Sequence, residues 1–344
     1  MKLNTIDLKL FLNSNGINFV NDFDLTKKSW IKSGGKIKIF IKPKNLDEIR
    51  KILKFLKNNQ SNYYVIGNIS NTLIRDGEII TPFINLGLLN KIKQLNNNKG
   101  LHFFAGSGIS IPVLSKYVTN RGYSGVEGLF GIPGTLGGGI FMNASSYGDS
   151  LTKNIHKIIS VNSDDKIVVI KRENANFSWR FSEFQNNKNL IIGAYFFFPQ
   201  EKLKNRELSE YKLRKLLDTR KKFQEKKYPN LGSLFATKNI YSDLKFLSPL
   251  FLFLYILNKL INFIFFKKIF NKHLLHMRIL INSLYLKNLK LDNKSNFTLS
   301  NKTINCLINS GSIESSEGIN LVRKLQQKIR NKIKLENIIL DKIL

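Results

Sequence analysis

Apolar and polar positions run through this chain in short blocks whose spacing switches repeatedly between the helical and the strand period. Residues 4–15 carry apolar side chains at helical spacing and predict a short amphipathic helix. Lys28 to Gly35 breaks the pattern as a turn, after which Ile37, Phe40 and Ile41 stand among Lys36, Lys38 and Lys42. That imperfect alternation predicts a half-buried strand over Ile37–Ile41, stopped at Pro43, which has no N–H to give a ladder. Asn45, with Glu48 three residues on, has the form of a helix N-cap. Leu46, Ile49, Ile52, Leu53 and Leu56 then share one helical face, and Tyr63–Ile66 reads as the next strand. Strand, helix and strand imply a βαβ unit.

Further along, a helix is expected over Ser110–Asn120, and a hairpin over Ile155–Val161 and Lys166–Lys171, turning at Ser163-Asp164-Asp165. Leu190–Phe198 is a strongly apolar strand ended by Pro199. A charged helix follows over about Glu207–Lys222, with Leu208, Tyr211 and Leu216 on one side. Near the end, Ser315 or Ser316 caps a helix running to about Ile333, with Ile319, Val322, Leu325 and Ile329 on one face.

Phe246–Phe266 departs from this rhythm, with Lys259 as its single charge and Lys245 and Lys267-Lys268 at its borders. A bilayer crossing needs about 20 apolar residues. The central lysine, Asn258, Asn262 and Pro249 argue against a clean crossing. The pattern favours a helical hairpin or amphipathic insertion lying on an anionic membrane surface, through 246–270, or against a partner. Burial against the protein's own core remains open.

At 344 residues the chain can bury two or three domain cores. One cysteine, Cys306, excludes an internal disulfide and reads as a small buried hydrophobe. The start, MKLNTIDLKLFLNSNG, lacks the marks of a secretory leader, so a reducing cytoplasm is expected, with a peripheral place on the inner membrane face if the insertion meets lipid. The formal net charge of +31 first suggests nucleic acid. Yet the lysines are spread over the whole length among Asn, Ile and Phe, and no zinc-finger spacing, basic-region heptad or RNA-binding motif accompanies them. No specific nucleic-acid partner is read, and no metal site; the charge would attract nucleotides or anionic lipid in general.

The chain's organising stretch is Gly125–Gly148, GVEGLFGIPGTLGGGIFMNASSYG. Its glycines let bare backbone approach a ligand, and successive N–H groups in such turns make concave anion sites suited to a diphosphate. Leu129, Phe130, Ile132, Ile140, Phe141 and Met142 are too apolar for a tether, so the loop is held within a fold. By composition alone it could equally be a set of tight turns in a β-rich domain.

The order of residues, Gly131-Ile132-Pro133-Gly134-Thr135 through Gly137-Gly138 to Met142-Asn143-Ala144 and Tyr147-Gly148, resembles the flavin-binding loop of the UDP-N-acetylenolpyruvoylglucosamine reductase family. Gly67, Ser70, Asn71, Leu73 and Asp76 resemble that family's second flavin motif, with Asn68 and Ile69 replacing two glycines. Ile69 is awkward if positive φ is required there, because it is β-branched. Trp179-Arg180-Phe181-Ser182 resembles the passage whose arginine lies beside the flavin and the enolpyruvyl group. The run Arg220, Gln224, Tyr228, Pro229, Gly232, Ser233 and Phe235 resembles the passage whose last serine is the proton donor; the Lys-Asn-Pro that follows in the family is missing. Leu299-Ser300-Asn301-Lys302 and Cys306–Gly311 are similar to a further family passage, with Thr303 where histidine is usual. Leu335-Glu336-Asn337-Ile338 resembles the family's close, whose second acid is catalytic. Ungapped, Ile338 stands at that position, and a two-residue deletion makes Glu336 the equivalent.

The resemblance, which leaves out about 240–280, implies an α+β fold. It would have a two-lobed FAD-binding domain of the vanillyl-alcohol oxidase/p-cresol methylhydroxylase type (1–88 and 89–205) and a smaller α+β substrate domain over 206–344 carrying the apolar insertion. It implies FAD, NADPH as hydride donor and a UDP-sugar substrate. Arg180, Ser233 and Glu336 would be catalytic. Gly67, Asn68, Ser70, Asn71, Gly131, Ile132, Pro133, Gly134, Thr135, Gly137, Gly138, Asn143, Tyr147 and Gly148 would hold the cofactor. Three functions stay in play: the peptidoglycan-precursor reductase itself, a membrane-associated FAD oxidoreductase acting on another nucleotide- or lipid-linked sugar, and a flavin-binding protein without turnover.

Overall fold

The computed structural model describes residues 4–96, 98–202, 206–266, 271–291 and 295–343. The first part runs α1 (Thr5–Ser14), β1 (Phe19–Asp24), α2 (Leu25–Lys28), β2 (Lys36–Ile41), α3 (Leu46–Asn58), β3 (Tyr64–Ile66), β4 (Thr72–Ile74), β5 (Glu78–Ile79) and β6 (Phe83–Asn85). Asn45 caps α3 through Glu48 N–H at 2.8 Å, while the Glu48 carboxylate reaches back to Lys44 N–H at 2.9 Å. The sheet order is β1-β2-β6-β3, with β6 inserted between the parallel strands that flank α3. β2 is therefore a central strand. Ile37, Ile39, Phe40 and Ile41 are all buried, where alternation had suggested one wet face. The Lys36 and Lys38 side chains escape at its start, and Lys38 pairs with Asp22 and Glu78.

The second part is β7 (Ile92–Leu95), β8 (Gly100–Gly106), α4 (Ile111–Thr119), α5 (Leu136–Phe141), β9 (Ser145–Ser146), β10 (Asp149–Ser150), β11 (Ile155–Val161), β12 (Ile167–Lys171), α6 (Phe184–Asn187) and β13 (Leu190–Pro199). An antiparallel sheet of order β12-β11-β13-β8-β7 backs a core built from Phe103, Phe196 and Phe198 with α4 and α5. Within β13, Phe196 and Phe198 point inward in alternation, which is why that strand reads as apolar.

The third part is α7 (Arg206–Phe223), β14 (Asn230–Ser233), α8 (Ile240–Leu244), α9 (Pro249–Phe266), α10 (Asn271–Leu289), β15 (Phe297–Leu299), β16 (Cys306–Asn309), α11 (Ser315–Lys328) and β17 (Ile338–Leu340). Leu208 and Tyr211 of α7 are exposed; Ser209 and Arg220 are the residues it buries. The helix turns that side toward α4 and the Glu127–Leu129 turn. α11 stops at Lys328, five residues short of the expected end, because Arg330 and Asn331 take left-handed φ values of 52° and 54°. Its N-cap is Glu314, not a serine. Asp76 instead reaches across from the first part, accepting from the N–H groups of Ser315 and Ser316 at 2.6 and 2.8 Å.

The apolar stretch forms α9, which packs on α10 as a helical hairpin. Phe251, Leu254 and Ile261 of α9 join Ile281, Tyr285 and Leu289 of α10 in the core of the third part. The other side leaves Phe246, Leu252, Phe253, Ile256, Leu260 and Leu280 exposed. Among the described residues, no helix is long and apolar enough to cross a membrane. β17 leaves the third part to pair in parallel with β4 of the first.

Candidate functional site

Loop 67–71, loop 131–139 and the approach to β17 meet around a cavity of about 1840 Å³. The two loops are stitched together. Asn68 Nδ2 donates to the Pro133 carbonyl at 3.2 Å, and a Cβ on Gly67 would fall 2.5 Å from Thr135 Oγ1. Only glycine permits that approach. Ile69 does adopt positive φ, 52°. Its side chain is 5% exposed and sits in a core with Ile66, Ile74 and Phe83, so packing holds a β-branched residue in a conformation costing of order 1–3 kcal/mol.

The walls suit a dinucleotide diphosphate. Among the described residues, the N–H groups of Asn68, Ile69, Ser70 and Asn71 donate to no protein acceptor. Ser107 Oγ, on the cavity wall, is buried without a partner. Orphan donors facing a cavity are what an anionic group would satisfy. Gly67, Asn68, Ser70, Asn71, Gly131, Ile132, Pro133, Gly134, Thr135, Gly137, Gly138 and Tyr147 all line it.

Asn143 and Gly148 do not. Asn143, at φ 44°, spends its side chain inside the protein: Nδ2 donates to the Ser178 carbonyl at 2.6 Å and Oδ1 accepts from Thr152 Oγ1 at 2.7 Å. It thereby holds the tight Ser178–Phe181 turn that carries Arg180, itself at φ 54°. Gln185 Nε2 braces the same turn, donating to the Arg180 carbonyl at 3.1 Å. The Asn71 carboxamide is likewise committed, donating to the Glu336 carbonyl at 2.9 Å and accepting from Asn337 Nδ2 at 2.7 Å.

From that turn Arg180 extends into the cavity. Its Nη1 donates to the carbonyl and Oγ of Ser145 at 3.2 and 3.3 Å. Its Nε lies 2.9 Å from Glu336 Oε1, an ion pair between two largely buried side chains, in which the N–H misses hydrogen-bond alignment. Burial pushes the Glu336 carboxyl above its ordinary value, and Arg180 opposes this only in part. Glu336, not Ile338, is thus the residue at the arginine; Ile338 pairs with Thr72 in the β17–β4 ladder. Asn337 fixes the offset between them, its Nδ2 also donating to the carbonyls of Leu231 and Ser233 at 3.1 Å each.

Ser233 ends β14 on the same cavity, with an exposed hydroxyl that meets no protein partner among the described residues. Gly232 before it has φ +71°, which turns the chain so that Ser233 faces the opening. Cys306, opposite Ser233 in the ladder, is buried, and its thiol is pushed up to about 12, so it stays protonated and inert.

One residue absent from the sequence-based site is Arg220. Its guanidinium sits under the glycine loop: Nη2 donates to the Gly128 carbonyl at 2.7 Å and Ser146 Oγ at 2.6 Å, and Nη1 to the Gly131 carbonyl at 3.1 Å and Gln224 Oε1 at 3.3 Å. A Cβ on Gly131 would lie 2.5 Å from that guanidinium. The Arg-x-x-x-Gln spacing was the available signal, since it places both side chains on one helical face.

This glycine-lined cavity, with unpaired N–H donors on its wall, is that of an FAD-dependent oxidoreductase. A family model described as an FAD binding domain matches residues 37–171. The UDP-N-acetylenolpyruvoylglucosamine reductase of Lactobacillus helveticus is 32% identical over 227 residues, 66% of this chain and 74% of that protein. That of Protochlamydia amoebophila is 32% identical over 207 residues, 60% of this chain and 66% of the relative's length. The crystal structure of the Thermus caldophilus enzyme of the same name has a TM-score of 0.64 at 20% identity, covering 94% of this chain and 98% of that one, which establishes the shared fold. The chain belongs to the UDP-N-acetylenolpyruvoylglucosamine reductase family.

Proposed function

We propose that this protein reduces the enolpyruvyl ether of UDP-N-acetylglucosamine to UDP-N-acetylmuramate, a precursor of peptidoglycan, with NADPH as reductant. FAD, held by the 67–71 and 131–139 loops, would supply the hydride-transfer chemistry between NADPH and the double bond. The chain's own residues do the rest. Arg180, planar and permanently charged, grips the enolpyruvyl carboxylate and steadies the negative charge that builds there as the double bond is reduced. Ser233 gives its hydroxyl proton to the carbon left as a carbanion, a base strong enough to take it. Glu336, whose carboxyl burial pushes above its ordinary value while Arg180 pulls it back, pairs with that arginine and holds it in place. The observation that carries this reading is that Arg180, Glu336 and Ser233 line the same cavity as the glycine loop.

The test is spectroscopic. The purified yellow protein should bleach with NADPH in the absence of oxygen and regain its colour on adding UDP-N-acetylglucosamine enolpyruvate. A flavin that bleaches but ignores that substrate turns attention to another nucleotide- or lipid-linked sugar, and one that never bleaches leaves a binding protein.

A cytoplasmic place against an anionic membrane surface goes with this function. In sequence, residues 244–291 hold eight Lys or Arg and no Asp or Glu, and among the described residues of α9 and α10 several apolar side chains are exposed. Such a surface suits lipid headgroups that are negatively charged. The protein should sediment with phosphatidylglycerol vesicles and not with phosphatidylcholine vesicles; equal recovery in both supernatants refutes the placement.

A further inference from the structure

The hairpin that the family resemblance does not cover also reaches the cavity. Asn282 of α10 accepts from the Tyr241 hydroxyl at 2.6 Å and donates to the Asn301 carbonyl at 2.7 Å. These bonds set the face that α10 turns toward the 300–303 turn. Arg278 lies one helical turn earlier on that face and lines the cavity, its guanidinium 5.4 Å from the centre of the Phe223 ring. Its guanidinium meets the neutral Tyr241 hydroxyl, its Nε is buried with no hydrogen-bond acceptor, and among the described residues no carboxylate forms an ion pair with it. The acid on this stretch of wall, Glu225, is already engaged by the Ser300 hydroxyl at 2.6 Å and by the N–H groups of Lys226 and Lys227. Lys226, Lys227, Thr303 and Asn305 line the same wall.

A half-buried guanidinium left without an anion costs free energy unless a ligand supplies one. We infer that Arg278, contributed by the hairpin, binds the diphosphate of the nucleotide that enters the cavity, so that the insertion sets nucleotide affinity in this protein. The inference rests on the proposed reaction only for the choice of ligands. Two of them carry an organic diphosphate, the UDP-sugar and NADPH, and the wall is cationic enough for either. Arg278 acts at a distance from the reacting carbons, so it governs binding and leaves the chemical step alone.

The experiment uses the full-length flavoprotein and its Arg278→Ala, Arg278→Gln and Arg278→Lys variants, with flavin content and melting temperature checked first. Calorimetric titration with UDP should show affinity weakened about ten- to hundredfold in Ala, the span of one charge-assisted hydrogen bond, with partial recovery in Lys. The steady-state KM should rise by the same factor while kcat stays within about twofold. A rise confined to the UDP-sugar places the arginine on the substrate, and one confined to NADPH places it on the dinucleotide. Unchanged UDP affinity together with unchanged KM for both ligands overturns the inference. Should Ala lose flavin, Gln, which keeps the polar stem without the charge, decides the matter. A wild type that binds UDP yet never reduces the enol ether removes the proposed reaction and leaves the UDP titration of Arg278 standing.

Discussion

Replacing Arg220 with alanine should loosen the glycine loop without touching any residue that meets the reacting atoms. Four hydrogen bonds leave with the guanidinium, including those to the Gly128 and Gly131 carbonyls. Each bond to a charged group contributes about 1.5–3 kcal/mol, and the carbonyls left behind are partly desolvated. The bonds share one rigid group and are not additive, and burial already disfavours its charge, as its lowered pKa records. A net loss of about 3 kcal/mol follows. With an unfolding entropy near 2.1 cal/mol/K per residue, this lowers the melting temperature of a 344-residue chain by about 4 °C if it unfolds as one unit. Flavin should also dissociate faster, because the loop lining its cavity has lost its anchor. Arg220→Lys should behave like alanine, since one ammonium cannot span two carbonyls and two side-chain oxygens set around a planar fork. The assay pairs a thermal melt with flavin absorbance after extended dialysis. A lysine variant that matches wild type in both readouts would sink the argument.

Three further outcomes follow from the site. Ser233→Ala should keep flavin and NADPH oxidation but slow product formation at least tenfold; unchanged turnover removes the hydroxyl from the mechanism. Glu336→Gln should gain stability relative to wild type as pH rises. The raised Glu336 carboxyl contributes its full stability below the ordinary value of 4.5 and loses it as pH climbs through the elevated one, so denaturant titrations giving a pH-independent difference contradict the assignment. Gly232→Ala meets no atom within 4 Å, yet its φ of +71° should cost about 1 kcal/mol and displace Ser233. A variant with wild-type kcat and melting temperature would show that the turn tolerates a side chain.

How far the chain could be read without coordinates depended on the range of the interactions. The α3 cap and the β11–β12 hairpin rest on neighbours a few residues apart, and both appear where their spacing put them. The burial of β2 was misjudged because it depends on β6, inserted from 43 residues downstream. Leu208 and Tyr211 were placed on one side of α7, but which side is buried was not legible, since α7 buries Ser209 and Arg220 and leaves those two exposed. In the site, glycine order marked the loop, but that the Asn71 and Asn143 carboxamides brace the scaffold was hidden, because a carboxamide serves scaffold and ligand equally well. Their partners, Asn337 and Ser178, lie 266 and 35 residues away. The register of Glu336 was ambiguous for the same reason: it is set by Asn337 and the parallel pairing with β4, neither visible in a local motif.

The pairing of β17 with β4 makes completion of the pocket wait for a stretch of chain far downstream of the first strands. Until residues 336–340 have left the ribosome, Asn71 has none of its three bonds to that segment, and Arg180 lacks its counter-charge. An elongating chain can therefore fold its first two sheets and still present an unfinished pocket, which closes only when β17 threads back beside β4.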